Sequence, residues 1–187
     1  WYHINYDNMV FVTGGGSHYV KERIYKASGI FRKYSFNDSK KSWDMNKNLW
    51  KNTGRKLMYF DGSGTCTILY DQASNILYRY ISSSKSYKRV SNVIDKLNGS
   101  RYYFYDANGN RRTSSGWKKV NGSTAYYVCD GGYVTSRYTD QKGTKKVYDF
   151  DYSKNTWVQK KNMWKTVYRS RYYFGSKGVA TMSYNNS

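Results

Sequence analysis

Three tryptophans, Trp50, Trp117 and Trp164, each stand shortly before a cluster of aromatic residues: Tyr59, Tyr126 with Tyr127, and Tyr172 with Tyr173. A fourth cluster, Tyr102 and Tyr103, has Ile94 in the tryptophan's place. Rings in this number suit noncovalent recognition, because their faces stack on flat surfaces and attract cations while their N–H and O–H groups bind polar edges. A tryptophan that opens a repeat can equally be a packing residue between neighbouring elements, and both roles are open at these positions. Successive residues of a strand point to opposite faces, so one tyrosine of each pair is expected inside and the other exposed as a platform.

Groups suited to bond-making chemistry are sparse. Asp149 and Asp151 share a strand face, but general acid catalysis needs a carboxyl with a raised pKa, and flanking lysines would lower both. With Asp61, Asp106 and Asp130, they read as turn or ion-pairing residues. His3 and His18 have no recognisable serine or acid partner for a triad. Cys66 and Cys129 lack CxxC spacing and, with only two histidines, leave a zinc site short of ligands; a disulfide and two buried thiols are both open. Gly14-Gly15-Gly16 and Asp130-Gly131-Gly132 lack the phosphate-loop pattern and read as hairpin turns. No catalysis, metal or cofactor is expected.

The elements that hold the rings follow from composition. Five Ala, five Leu, one Glu and no Pro, against 16 Gly and 23 Tyr, leave few helix formers and many strand formers, so the fold is expected to be all-β. Leu, Ile, Val and Phe make up only about 17% of the 187 residues, and the formal charge is +20. That combination would suggest disorder. An aromatic content of 19% supplies the missing buried area. No apolar run approaches the roughly 18 residues of a membrane span, so no membrane insertion is expected. The start at Trp1, without a Met or an apolar leader, reads as a trimmed fragment or mature portion.

The aromatic clusters belong to internal repeats. Residues 50–64 align without a gap on 164–178, each with eight residues from the tryptophan to the cluster. Residues 94–109 fit the same frame, and 117–131 fit with one extra residue. A second recurring stretch, 30–43, 76–87 and 147–157, reads as an aromatic strand, a Ser/Asn/Lys turn and a further aromatic. Together they form a composite unit of about 40 residues. Turn residues such as Asn98-Gly99 and Asn121-Gly122 between aromatic runs predict hairpins. A lone hairpin is marginal in water, so the hairpins must stack into a solenoid-like or extended sheet array. Residues 1–187 are expected to form one such array, with capping hairpins in 1–29 and repeat units at 30–94, 95–140 and 141–187.

Residues 95–135, with Asn98-Gly99-Ser100-Arg101-Tyr102-Tyr103-Phe104-Tyr105-Asp106, then Gly116-Trp117 and Gly122 ahead of Tyr126-Tyr127, resemble the cell-wall-binding repeat of bacterial surface proteins, the choline-binding and glucan-binding family. Residues 50–70 and 160–184 resemble degenerate copies, and residues 1–49 lie outside the match. The resemblance implies a β-hairpin array with ligands held against aromatic side chains between hairpins, choline in an aromatic cage or glucose rings on flat faces. Arg101 and Ala125 stand where the family's motif opens its cluster with tryptophan, which removes a cage wall and argues against choline.

The expected ligand-contacting residues are therefore Trp50, Tyr59, Tyr102, Tyr103, Trp117, Tyr126, Tyr127, Trp164, Tyr172 and Tyr173. The expected partner is a bacterial cell-wall polymer, teichoic acid or a polysaccharide such as glucan, bound by a secreted, non-catalytic attachment or adhesion module at the cell surface. The basic charge attracts polyanions, and Lys40-Lys41, Arg111-Arg112, Lys118-Lys119, Lys145-Lys146 and Lys160-Lys161 recur at turns where they could form a stripe. Two alternatives remain. Basic residues interleaved with tyrosine suit single-stranded nucleic acid, although no RNA-binding motif is present. Residues 147–157 resemble a kelch strand of a β-propeller or lectin-like interaction protein, but the kelch Gly-Gly pair is missing.

Overall fold

Two turn designs, each used repeatedly, cut the chain into short antiparallel strands. The computed structural model describes residues 1–5, 8–12, 19–99 and 101–185. The Gly14-Gly15-Gly16 turn and His18 lie outside the described residues, as does the side chain of His3. The chain forms two compact units, Trp1–Val90 and Ser91–Ser187. In the first, β1 (Tyr2–Asn5), β2 (Asn8–Val12), β3 (Val20–Ala27), β4 (Ile30–Asn37) and β5 (Ser42–Met45) form one five-stranded meander. A second follows, with β6 (Leu49–Asn52), β7 (Lys56–Phe60), β8 (Cys66–Asp71), β9 (Ile76–Ile81) and β10 (Ser86–Arg89).

The other unit opens with the pair β11 (Val93–Lys96) and β12 (Tyr102–Tyr105). Its five-stranded meander contains β13 (Gly116–Asn121), β14 (Thr124–Val128), β15 (Val134–Gln141), β16 (Thr144–Asp151) and β17 (Thr156–Gln159). The sheet of β18 (Met163–Val167), β19 (Ser170–Phe174) and β20 (Ala180–Asn185) ends it. The fold is all-β, as the composition predicts. No helix is long and apolar enough to cross a membrane. Sheets of five, five, two, five and three strands do not follow the four-stranded blade of a propeller.

The first turn design follows the second strand of each aromatic-cluster repeat. At Asp61, Asp106, Cys129 and Gly175 a carbonyl accepts from the amide of a glycine three residues on, at 2.8–3.0 Å. Those glycines, Gly64, Gly109, Gly132 and Gly178, all have φ between 70° and 79°, a left-handed conformation that glycine adopts without a Cβ clash. In three copies the register slips just before the turn, at Tyr59/Phe60, Tyr127/Val128 and Tyr173/Phe174, as a bulge requires. The residue ahead of the turn, Phe60, Tyr105, Val128 or Phe174, is fully buried. This alignment corrects the sequence frame twice: the turn glycine is Gly132 rather than Gly131, and the 94–109 copy also carries an extra residue.

The second design is a four-residue loop held by the last side chain of the strand before it. The side chains of Asn37, Asp71 and Asp151 each accept two backbone amides of their own turn, and the last residue, Lys41, Asn75 or Asn155, is left-handed. Aromatic pairs close the strands beside such loops, Phe36 with Trp43 at 5.3 Å and Phe150 with Trp157 at 4.9 Å. The 76–87 stretch keeps the geometry, with Tyr80 on Tyr87 at 5.3 Å and Lys85 left-handed, but has Ile81 where the others have an Asn or Asp.

The two designs recur in one order, and this exposes a larger duplication. Residues 20–70 and 134–184 correspond without a gap, so β3 to β8 match β15 to β20 in bounds and register. β1 and β2 likewise match β13 and β14, with Trp1 opposite Trp117 and Phe11 opposite Tyr127. Residues 1–5, 8–12 and 19–45, outside the motif match, thus fold as copies of 117–121, 124–128 and 133–159, and the stretch expected to cap the array supplies three of those strands. The positions kept between them include the stacking residues Trp1, Arg23, Tyr34, Phe36 and Trp43, together with Asn5, Val12, Val20, Gly29, Ser39 and Lys40.

In the first unit the core is Met9, Ile24, Phe31, Met58, Phe60, Cys66 and Leu69. In the second, the β13–β17 sheet is covered on both faces. Phe104, Val128 and Val134 pack on one side with Tyr126 and Trp157; Ala125, Tyr138 and Val167 pack on the other with Trp117 and Tyr172.

Both cysteines are free thiols, with Cys66 buried and Cys129 partly exposed. Burial pushes the Cys66 thiol up to about 12, so it stays protonated and unreactive at physiological pH. We expect a thiol reagent at pH 8 to label one cysteine of the native chain, Cys129, and two after denaturation. Labelling of Cys66 in the native state would contradict this packing.

Candidate functional site

Up to the bulge at Tyr127/Val128, a cross-strand row runs along one face of the β13–β17 sheet. Trp117 pairs with Tyr127, Tyr127 with Ser136, and Ser136 with Asp149. Trp117 and Tyr127 meet edge-to-face at 5.5 Å. Strand β18 lies over this row. The Trp117 indole N–H donates to the Thr166 carbonyl at 3.1 Å, and the Lys165 ammonium reaches Asp149 Oδ1 at 3.2 Å. Tyr168, in the turn after β18, brings a third ring to within 6.3 Å of Trp117.

Between these groups lies a groove of about 610 Å³ lined by Trp117, Tyr127, Thr135, Ser136, Lys165 and Tyr168. The arrangement offers three ring edges and faces, two hydroxyls and one ammonium group. Its charge is fixed by Asp149. Burial works to raise the Asp149 pKa, yet the Ser136 hydroxyl at 2.6 Å, with Lys165 and Lys160 beside it, holds the carboxyl below its usual range. Asp151, the other member of the proposed carboxylate pair, is also held low, by the Ser153 hydroxyl and the amides of its own turn. Neither carries the raised pKa that general acid work needs; lysine charge contributes at Asp149 after the Ser136 hydroxyl, and comes last at Asp151. Among the described residues no group of three or more His, Cys, Asp or Glu gathers to hold a metal.

The aromatic positions singled out in the sequence fall into two sets. Trp50 with Tyr59 and Trp164 with Tyr173 repeat the Trp117–Tyr127 pairing, at 5.2 and 5.5 Å. Their rows continue differently. Tyr59 is followed by Ile68 and Arg79, and Tyr173 by Met182; the Arg171 guanidinium lies 5.3 Å from the Trp164 ring. Tyr126 packs on Trp157 at 5.9 Å, Tyr172 on Tyr138 at 6.1 Å and Tyr102 on Phe150 at 5.1 Å. Tyr103 carries the Arg111 guanidinium at 5.0 Å. Of the ten expected positions, the structure brings Trp117 and Tyr127 together in the groove.

Ser136, Lys165 and Tyr168 were not anticipated. One signal could have found Tyr168. In the gap-free duplication it stands opposite Gly54, which has φ 84°, and Tyr168 itself has φ 56°. A bulky residue held in a left-handed turn is uncommon and strained. The first copy also shows how this face looks when closed. There Lys51 matches Lys165 and lies 5.0 Å from the Trp1 ring and 5.8 Å from Phe11, tied to Glu22 at 2.5 Å.

The chain is thus an all-β protein of short antiparallel hairpins that presents an aromatic, hydroxyl-lined groove on one sheet face. No family model matches the sequence, and no curated protein matches it. Among solved structures it is similar to CbpJ of Streptococcus pneumoniae TIGR4, at 19% identity over 81% of this chain and 56% of that one, with a TM-score of 0.27. It is also similar to the multimodular pneumococcal cell-wall endolysin from phage Cp-1 complexed with choline, at 16% identity over 88% and 38% of the two chains, TM-score 0.29. An alternansucrase in complex with isomaltononaose matches at 14% identity over 88% and 16%, TM-score 0.26. The chain spans between 16% and 56% of the length of these three proteins.

Proposed function

We propose that this chain is a non-catalytic binding module that holds a sugar ring of a bacterial cell-wall polymer or glucan in the Trp117 groove. The convergence of Trp117, Tyr127 and Tyr168 with Thr135, Ser136 and Lys165 carries this reading, because a sugar presents apolar C–H faces to rings and hydroxyl edges to polar groups. Asp149, the carboxylate beside the groove, is already paired with Lys165 and Lys160, so it does not stand ready for a quaternary ammonium, and the space suits a neutral ring. Trp117 and Tyr127 contact the ligand, while Tyr102, Tyr126 and Tyr172 hold the sheets together. Trp50, Tyr59, Trp164 and Tyr173 are register pairs whose rows lack the Ser136–Asp149 continuation. One principal site per chain then places weak single-ring affinity on a module that works beside others on a polymer at a bacterial surface. The charge of +20 draws the chain toward anionic wall material over longer range.

Co-sedimentation with insoluble bacterial wall, intact and stripped of teichoic acid, and with dextran, across a salt series, tests the assignment. We expect retention on stripped wall or dextran to persist at high salt and to be lost in Trp117→Ala. Retention confined to low salt, on teichoic-acid-bearing wall or on DNA, would show that charge alone binds and the groove does not.

A further inference from the structure

The face of the β13–β17 sheet opposite the Trp117 groove carries a second cavity, of about 750 Å³, with Arg137 in its lining. The Arg137 guanidinium lies 4.5 Å from the Tyr148 ring and 5.1 Å from Trp157. Both rings lie within cation–π range of the guanidinium, and the Tyr126 side chain is hydrogen-bonded to it. Its Nε is buried without a hydrogen-bond partner. Lys142 and Lys146 line the same cavity with the hydroxyl residues Ser123 and Thr139. Among the described residues none of these three cations is ion-paired. The one carboxylate at the rim, Asp140, is already bridged to Lys145 at 3.1 Å.

The duplicated copy shows that this cavity is a departure from a filled design. Arg23 there matches Arg137 and stacks in the same way, 5.2 Å from Tyr34 and 4.4 Å from Trp43, with its Nε likewise unpartnered. The stacked arginine is therefore part of the scaffold, and what differs is its surroundings. Opposite Thr139 the first copy has Tyr25, whose ring lies 5.4 Å from Tyr34 at 12° and fills the space beside the arginine. Opposite Lys142 it has Ser28. The second copy has thus exchanged a ring for a small hydroxyl residue and gained a lysine at the mouth.

We propose that Arg137, Lys142 and Lys146 form an anion subsite that takes a phosphodiester group of the wall polymer. Three cations and several hydroxyl donors around an open cavity match a charged group with several acceptor oxygens on a polyol chain. The assignment rests on the reading that the chain binds wall polymer, but it uses different residues and a different sheet face from the sugar groove.

Thr139→Tyr transplants the first copy's ring, which already packs there without disturbing the stacked arginine, so the variant keeps its melting temperature. Titration with poly(glycerol phosphate) and with inorganic phosphate, measured by isothermal titration calorimetry, should show about tenfold weaker binding in Thr139→Tyr. Lys142→Gln/Lys146→Gln, at partly or fully exposed positions, should weaken binding and flatten its salt dependence. Dextran retention should be unchanged in both variants, so loss of dextran binding by the wild type would defeat the Trp117 reading while leaving the phosphate titration interpretable. Wild-type affinity for the phosphate polymer in Thr139→Tyr overturns the subsite. Equal binding of polygalacturonate overturns the phosphodiester assignment, and equal binding of a single-stranded oligonucleotide through the same residues overturns the wall polymer as its source.

Discussion

Glu22→Ser will destabilise the first unit by about 3–5 kcal/mol, the range seen when one partner of a buried ion pair is removed. Glu22 is the only glutamate in the chain. It accepts from Lys33 at 2.6 Å and Lys51 at 2.5 Å, and so joins β3 to β4 and to β6 of the following sheet. Lys33 is buried, with its side chain 3% exposed, and is also held by Asn46 at 2.8 Å. Burial pushes the Lys33 ammonium below its ordinary value even with Glu22 beside it. Without the carboxylate, a buried charge remains with no compensation. The duplicated copy supplies the control, because Ser136 and Val147 stand where the first has Glu22 and Lys33. Glu22→Ser/Lys33→Val should recover most of the lost stability, since replacing a whole buried pair by apolar packing is often neutral.

The pH dependence separates this account from a simple packing defect. Burial works to raise the Glu22 pKa, but its two ammonium partners outweigh it and hold the carboxyl below its usual range. A carboxyl lowered on folding stabilises above its unfolded value, and that contribution is lost as pH falls through the folded value. The difference between wild type and Glu22→Ser should therefore shrink in acid. In the variant, Lys33 binds its proton more tightly unfolded than folded, so stability should rise as pH climbs toward the lysine's ordinary pKa. Denaturant midpoints across pH read both effects; a loss below about 1 kcal/mol at neutral pH, or no recovery in the double variant, rejects the clamp.

Tyr168→Gly should weaken glucan binding about tenfold while leaving the melting temperature unchanged or raised. Tyr168 is 50% exposed and contributes a wall of the groove rather than of the core. Its left-handed backbone costs a non-glycine residue roughly 1 kcal/mol, and the matching turn of the first copy uses Gly54 at φ 84°. Removing the ring relieves that strain and forfeits one aromatic contact, worth up to about 1.4 kcal/mol, which the tenfold loss expresses. Trp117 cannot separate the two roles as well, because it also packs on Ala125, Tyr138 and Val167. Binding affinity for isomaltooligosaccharides and thermal unfolding on the same samples decide the matter. A Tyr168→Gly chain that binds as the wild type does removes Tyr168 from the site, and one that melts much lower marks its ring as structural.

Much of the scaffold was legible from local chemistry. The shortage of helix formers and the regular turn residues determine an all-β chain of hairpins, since strand and turn preferences act over a few neighbouring residues. The spacing from Trp50 to Tyr59 and from Trp164 to Tyr173 likewise determines cross-strand pairs, because a hairpin's register follows from its turn. Within residues 1–45 the stretch 30–43 is legible as a repeat, but ahead of it the kept positions, among them Trp1, Val12, Val20 and Arg23, are too widely spaced to form a motif. Their likeness to 117–159 lies in which side chains stack.

What distinguished one aromatic pair from the others was decided only by tertiary structure. All three Trp–Tyr pairs look alike in sequence, yet only the Trp117–Tyr127 row continues through Ser136 to Asp149 and is met by Lys165 and Tyr168 from the next sheet. The same holds for Arg23 and Arg137, identical in stacking and different in whether Tyr25 or Thr139 stands beside them. The sequence by itself determined the rings, the turns and the basic charge. Which ring faces are left open depends on side chains many positions away, brought there by sheet packing, and no local pattern encodes the space that those side chains leave unfilled.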